Sequence, residues 1–105
     1  MEALKANELR IGNWISNGAM PITAGFDQIR YAEIFQPITL TEDWLIRFGF
    51  EKIQYSYQPS FKQGVVEIWP INGKLLDDND REVQYVHQLQ NLYFALTGTE
   101  LTIKN

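Results

Sequence analysis

From Leu9 the chain begins to alternate. Leu9, Ile11 and Ile15 fall on one side of an extended segment, with Arg10, Gly12 and Trp14 on the other. That is the period of a half-buried strand. Asn17-Gly18 follows, a pair suited to the type I′ hairpin turn, which needs positive φ at both central positions. The return strand would run through "MPITAGF", where Pro21 removes one ladder donor and suits an edge. "QIRYAEIF", with Ile29, Tyr31 and Phe35 on one side, reads as a third strand. Residues 1–8 ahead of this meander read as a loose lead-in or a short helical turn.

The pattern then changes period. In "PITLTEDWLIRFGF", Thr41 suits an N-cap and Glu42 and Asp43 sit in the electropositive first turn. Leu40 can staple against Leu45, Gly49 supplies a left-handed stop, and Phe50 can fold back on Leu45. A short helix over about 42–48 is predicted. "KIQYSYQPSFK" alternates again, placing Ile53, Tyr55, Tyr57, Pro59 and Phe61 on one face of a single strand. "VVEIWPI" extends the sheet, Asn72-Gly73 turns it into "KLL", and "DDND" is a loop. A longer C-terminal helix is predicted over about 82–97, closed by Gly98. Its start is open anywhere from 80 to 86, because "REVQY" also alternates as a strand would. "ELTIK" reads as a short closing strand. The expected fold class is α+β, in one domain over 1–105: an antiparallel meander or small SH3-like barrel with these two helices.

Composition narrows the functions open to such a fold. With 105 residues, 45% hydrophobic and 21% charged, the chain is long enough to bury a core without staples. It has no cysteine, so a disulfide framework and thiolate metal or redox chemistry are excluded. No run approaches the roughly 18 apolar residues of a membrane span. "MEALKANELRIGN" lacks the apolar stretch of an export signal, so a cytoplasmic location without membrane association is expected. Nine Lys and Arg are scattered singly against a net charge of −4, which disfavours nucleic acid as a partner.

Candidate chemistry centres on "YVHQLQNLYFALTG", which holds the one histidine of the chain, His87. At 100° per residue Val86, Leu89, Tyr93 and Leu96 form the apolar stripe, and His87 falls at its edge beside Gln90. General acid–base work suits a histidine but needs an orienting partner, and no motif supplies one. A structural or surface histidine is therefore the expectation, with Gln90 and Asn91 as its polar flank. The acidic "DDNDRE" lacks the glycine and the terminal glutamate of a calcium loop, so no metal and no cofactor are expected. Among the aromatics Trp14, Trp44, Trp69, Tyr55 and Tyr57, which could stack on a ligand, Trp44 and Trp69 are expected in the core. Trp14 is the one expected at the surface. Trp14, His87, Gln90 and Asn91 are thus the residues put forward for ligand or partner binding, and no catalytic set is assigned.

Three segments, "ELRIGNWI", "PITLTEDWLIRFGF" and "YVHQLQNLYFALTGTEL", resemble a family of small uncharacterised proteins that recur in gut-bacterial genomes, prophages and related mobile elements. The resemblance touches both ends and the middle and leaves out roughly 16–35 and 51–80. It implies a phage or mobile-element setting and transfers no site residue. The function expected is a non-enzymatic accessory or protein–protein interaction domain. The alternatives are a small barrel binding single-stranded nucleic acid, and an enzyme or small-ligand protein using His87. Homo-oligomerisation through a sheet edge or the aromatic helix is compatible with the pattern.

Overall fold

In the computed structural model, which describes residues 4–104, the chain is α+β with two antiparallel sheets. The element order is β1 (Trp14–Ser16), β2 (Pro21–Thr23), α1 (Phe26–Arg30), α2 (Glu42–Arg47), β3 (Glu51–Gln54), β4 (Pro59–Gln63), β5 (Val66–Ile71), β6 (Lys74–Leu76) and α3 (Val86–Thr97). β1 and β2 form a two-stranded ribbon; the other four form a meander in the order β3-β4-β5-β6. The meander runs in line from β3 to β6, and among the described residues no pairing of β3 with β6 closes it into a barrel. No helix among the described residues is long and apolar enough to cross a membrane.

Two hydrophobic cores share the chain. The larger gathers Leu40, Trp44, Leu45 and Phe48 of the α2 region, Phe61, Val66 and Ile68 of the sheet, and Val86 and Leu89 of α3. The smaller holds Leu4, Leu9, Ile15, Ala24 and Ala32, with Ile22, Ile29 and Phe35 packed on it.

The α2 region follows its sequence closely. Trp44 N–H donates to the Thr41 hydroxyl at 3.4 Å, as the N-cap requires. At the other end Phe50 N–H donates to Leu45 O at 3.0 Å and Gly49 N–H to Ile46 O at 2.9 Å, the two bonds of a Schellman stop. Gly49 has φ +90, and a Cβ there would come within 2.6 Å of the Lys104 side chain. Both conditions call for glycine.

Four expectations are corrected. First, the strand predicted from Leu9 begins only at Trp14: Asn13 N–H donates back to Arg10 O at 3.0 Å and Gly12 has φ +94. Leu9 and Ile15 are buried, but Ile11 stands on the turn, 68% exposed. Second, "QIRYAEIF" is helical, not extended: α1 is followed by a 3-10 turn at Ala32–Ile34. The Gln28 side chain caps it by accepting from Gly25 N–H at 2.9 Å, and the inward set, buried Ala32 with half-buried Ile29 and Phe35, is spaced by threes. Third, "KIQYSYQPSFK" folds back on itself. Ile53 pairs with Ser60 and Gln54 with Pro59, leaving Tyr55–Gln58 as a four-residue loop with no glycine, asparagine or aspartate to announce it. Fourth, "ELTIK" buries Leu101 without joining a sheet; one backbone bond, Lys104 N–H to Arg47 O at 2.7 Å, and the Glu100 pairing with Arg10 tie it down.

α3 starts at Val86, the late end of its predicted range. Before it the chain is pinned as strand-like bridges, Leu76 to Glu82 and Thr39 to Tyr85. The Gln88 side chain accepts from both Gln84 N–H and Tyr85 N–H at 2.9 and 3.0 Å, covering two donors at the helix start. Gly98, at φ 73, closes the helix as expected.

Candidate functional site

The polar edge of α3 faces the N-terminal segment, and its side chains bind that segment at almost every residue. Gln90, 2% exposed, donates from Nε2 to Gly12 O at 3.1 Å and accepts Trp14 N–H at 2.7 Å through Oε1. Asn91 donates to Glu8 O at 2.9 Å and accepts from Arg10 Nε and Asn13 Nδ2, each at 3.0 Å. Asn13, itself 1% exposed, accepts Arg10 N–H at 2.6 Å. The segment between residues 8 and 14 is too bent to join a sheet, so its backbone groups find amide side chains instead.

His87 belongs to the same arrangement. Its ring is completely buried, stacked on Tyr85 at 5.8 Å with 10° between planes, and its Nε2 lies 2.9 Å from Glu8 Oε1. Nδ1 is buried with no hydrogen-bond partner. Burial holds the His87 pKa below its usual value, against the opposing pull of the Glu8 carboxylate. The neutral ring with its proton on Nε2 satisfies this geometry. Nε2–H then donates to the carboxylate, and the orphan is a lone pair, not an uncompensated N–H.

Arg10, which is not among the four residues put forward for binding, fixes the outer end. Its guanidinium lies 4.3 Å over the Phe94 ring, bonds Glu100 at 2.6 and 3.2 Å, and reaches Gln90 O at 3.3 Å. The signal available for it was weak: a lone arginine eighty residues away from an i, i+4 pair of Gln90 and Phe94.

An open cleft of about 1030 Å³ runs along this edge, lined by Asn7, Glu8, Tyr85, His87, Asn91 and Phe94 among others. Chemically it offers little. A general base must present a free nitrogen to a substrate, and His87 has no exposed surface. Gln90 and Asn91 are both engaged with the protein's own backbone. Among the described residues no three His, Cys, Asp or Glu side chains converge as a metal set would. Trp14 is half-buried against the main core, 5.7 Å from Trp44. The structure thus brings all four predicted residues together, around the clamped N-terminal segment.

A second feature lies on the outer face of the four-stranded sheet. Tyr55 is stacked between Trp69, at 5.4 Å and 25°, and Tyr57, at 5.9 Å and 21°. Trp69, expected in the core, is half-exposed, because alternation along β5 turns Val66 and Ile68 inward and Glu67 and Trp69 outward. The rings cover Ser60, which is wholly buried and donates to Glu67 Oε2 at 2.5 Å. Tyr55 donates to the same oxygen at 3.2 Å, and Trp69 Nε1 to Asp78 Oδ1 at 2.9 Å. Loss of hydration, and then the Glu67 charge, push the Tyr55 phenol above its usual pKa, which keeps it a neutral donor. Tyr57 caps the stack, 74% exposed.

Comparison with protein-family models, with curated proteins and with solved structures gives no match to this chain. The site is therefore read from its own geometry.

Proposed function

We propose that the protein is a non-enzymatic interaction domain: a cytoplasmic accessory protein of phage or mobile-element setting that acts by contact with another protein. The observation that carries this is the aromatic stack on the outer sheet face, ending in a Tyr57 ring that is 74% exposed. Large exposed rings held in fixed positions are what interfaces use, since they bury much area at small entropic cost. The polar groups that an enzyme would use are engaged internally. The resemblance of three segments to small proteins of prophages and mobile elements supports the setting.

Native pull-down from the source cell, with tagged wild-type chain and Tyr57→Ala in parallel, tests the reading. A protein recovered in stoichiometric amount by the wild-type chain is expected. A chain that runs as a monomer and recovers nothing under native conditions contradicts it.

One observation favours a second reading, a small-ligand protein working through His87. The ring lies beside an open cleft with the Glu8 carboxylate 2.9 Å away. Ligand entry would have to displace Glu8, so a ligand of this cleft would shift the His87 resonances and lift the burial of its ring.

A single-stranded nucleic-acid site finds less support. Arg10 is committed to Glu100, Trp14 packs on Trp44, and Lys52 lies over Phe61.

A further inference from the structure

We propose that the outer face of the β3–β6 sheet takes an arginine: the partner's contact segment presents a guanidinium to the Tyr55–Tyr57–Trp69 stack and its flanking carboxylates. The proposal rests on the interaction-domain reading and names the partner chemistry of that surface.

Ring electronics give the first reason. Tyr55 O–H and Trp69 Nε1–H both donate to carboxylates, Glu67 and Asp78. Donation to an anion moves electron density into the ring and deepens the negative potential of its face, the potential a cation seeks. An anionic ligand such as a nucleic-acid phosphate meets the opposite field.

The open hydrogen-bonding groups give the second. The donors that Tyr55 and Trp69 own are already engaged, so neither ring can serve the oxygen atoms of a sugar. Glu67 accepts through Oε2 and Asp78 through Oδ1. The other oxygen of each has no protein donor among the described residues. Beside the Tyr57 hydroxyl and the Lys62 ammonium, what the face leaves open is aromatic surface and carboxylate acceptors. A planar cation with several N–H groups meets both at once: it stacks on the ring and bonds a carboxylate edge-on.

Charge supplies the third. Neither Glu67 nor Asp78 forms an ion pair with a Lys or Arg among the described residues. The nearest internal competitor by register is Lys62, paired across the sheet with Glu67 and exposed. The net charge of −4 favours encounter with a basic segment.

The test is a titration of the full-length ¹⁵N-labelled chain with the capped peptide Gly-Arg-Gly-Arg-Gly, read at the Trp69 indole N–H and the amides of residues 55–58. Matched peptides carrying Lys or Glu, a short oligothymidylate and a glucan oligosaccharide are run beside it. The Arg peptide is expected to shift these resonances saturably, more tightly than the Lys peptide, while the Glu peptide, oligonucleotide and sugar do not. Tyr57→Ala, a change at a loop side chain that is 74% exposed, should weaken binding about tenfold, or roughly 1.4 kcal/mol. Lys62→Gln should strengthen it.

Absence of a saturable shift overturns the proposal. So does an equal response to the Glu peptide, tighter binding of the oligonucleotide or sugar, or binding that Tyr57→Ala leaves unchanged. A stoichiometric protein partner retained by Tyr57→Ala in the pull-down, with no peptide response, removes this surface and leaves the interaction domain standing. Failure of both experiments removes both.

Discussion

Two regions of the protein carry the side chains from which function is made, and they dispose of them in opposite ways. Along α3, Gln90 and Asn91 turn inward and hold the N-terminal segment by its backbone, and His87 holds it through the Glu8 carboxylate. On the outer sheet face, Tyr55 and Trp69 bind their own polar tips to carboxylates and leave ring surface outward, with Tyr57 outermost. The first region is a polar core in which every amide has a chain partner. The second is a surface that keeps ring faces and carboxylate oxygens open to a partner. The difference teaches that a titratable residue beside a cleft is not in itself a site; what matters is which of its atoms remain unbound and reachable.

The sharpest way to break the contrast is Gln90→Ala. It leaves the Trp14 N–H and the Gly12 carbonyl without partners, and buried unpaired groups cost about 1–3 kcal/mol each. A loss of about 2–3 kcal/mol is expected in urea unfolding. A loss under about 0.5 kcal/mol would mean that water replaces Gln90 and the clamp is incidental.

Acidification comes next. Burial holds the folded His87 pKa below its unfolded value, so the unfolded chain takes up the proton first as pH falls. Stability from this group is complete above the ordinary histidine pKa of about 6.5 and declines below it, by at most about 1.4 kcal/mol per pH unit. His87→Phe should abolish that part of the pH dependence; an unchanged slope in the variant would assign it elsewhere. Glu100→Ala removes the exposed partner of Arg10 while the Phe94 contact and Asn91 bond remain. A change of about 0.2–1 kcal/mol, shrinking at high salt, is expected from thermal unfolding.

Smallest of all should be the stability effect of Tyr57→Ala, within about 0.5 kcal/mol of wild type. The same substitution should have the largest effect on peptide binding. If it unfolds the chain instead, the stack is part of the core and the contrast disappears.

Legibility in the sequence followed the locality of the interactions. The α2 helix was readable to its caps, because Thr41, Leu45, Gly49 and Phe50 bond within one stretch of ten residues. The hairpin at Asn72-Gly73 was readable for the same reason: both residues have the positive φ that the pair announced. The Tyr55–Gln58 turn was not, since alternation in "KIQYSYQPSFK" continues unbroken through it and no glycine, asparagine or aspartate marks it. In "QIRYAEIF" periods of two and three fit the same residues, and only the exposure of Tyr31 against the burial of Ala32 separates them. The partners of His87, Gln90 and Asn91 lie seventy-six or more residues away, beyond the reach of any pattern along the chain. Burial of His87 was invisible for that reason, and so was the role of Arg10.

The most direct measurement of the central contrast is residue-level mapping by mass spectrometry of diethyl pyrocarbonate labelling, which reports on histidine and tyrosine in one experiment. His87 is the only histidine, so its modification is unambiguous. In the native chain Tyr57 should label nearly as fast as in the denatured chain, while His87 stays unmodified until the protein unfolds. Rapid native labelling of His87, with Tyr57 protected, would reverse the two regions and contradict the account.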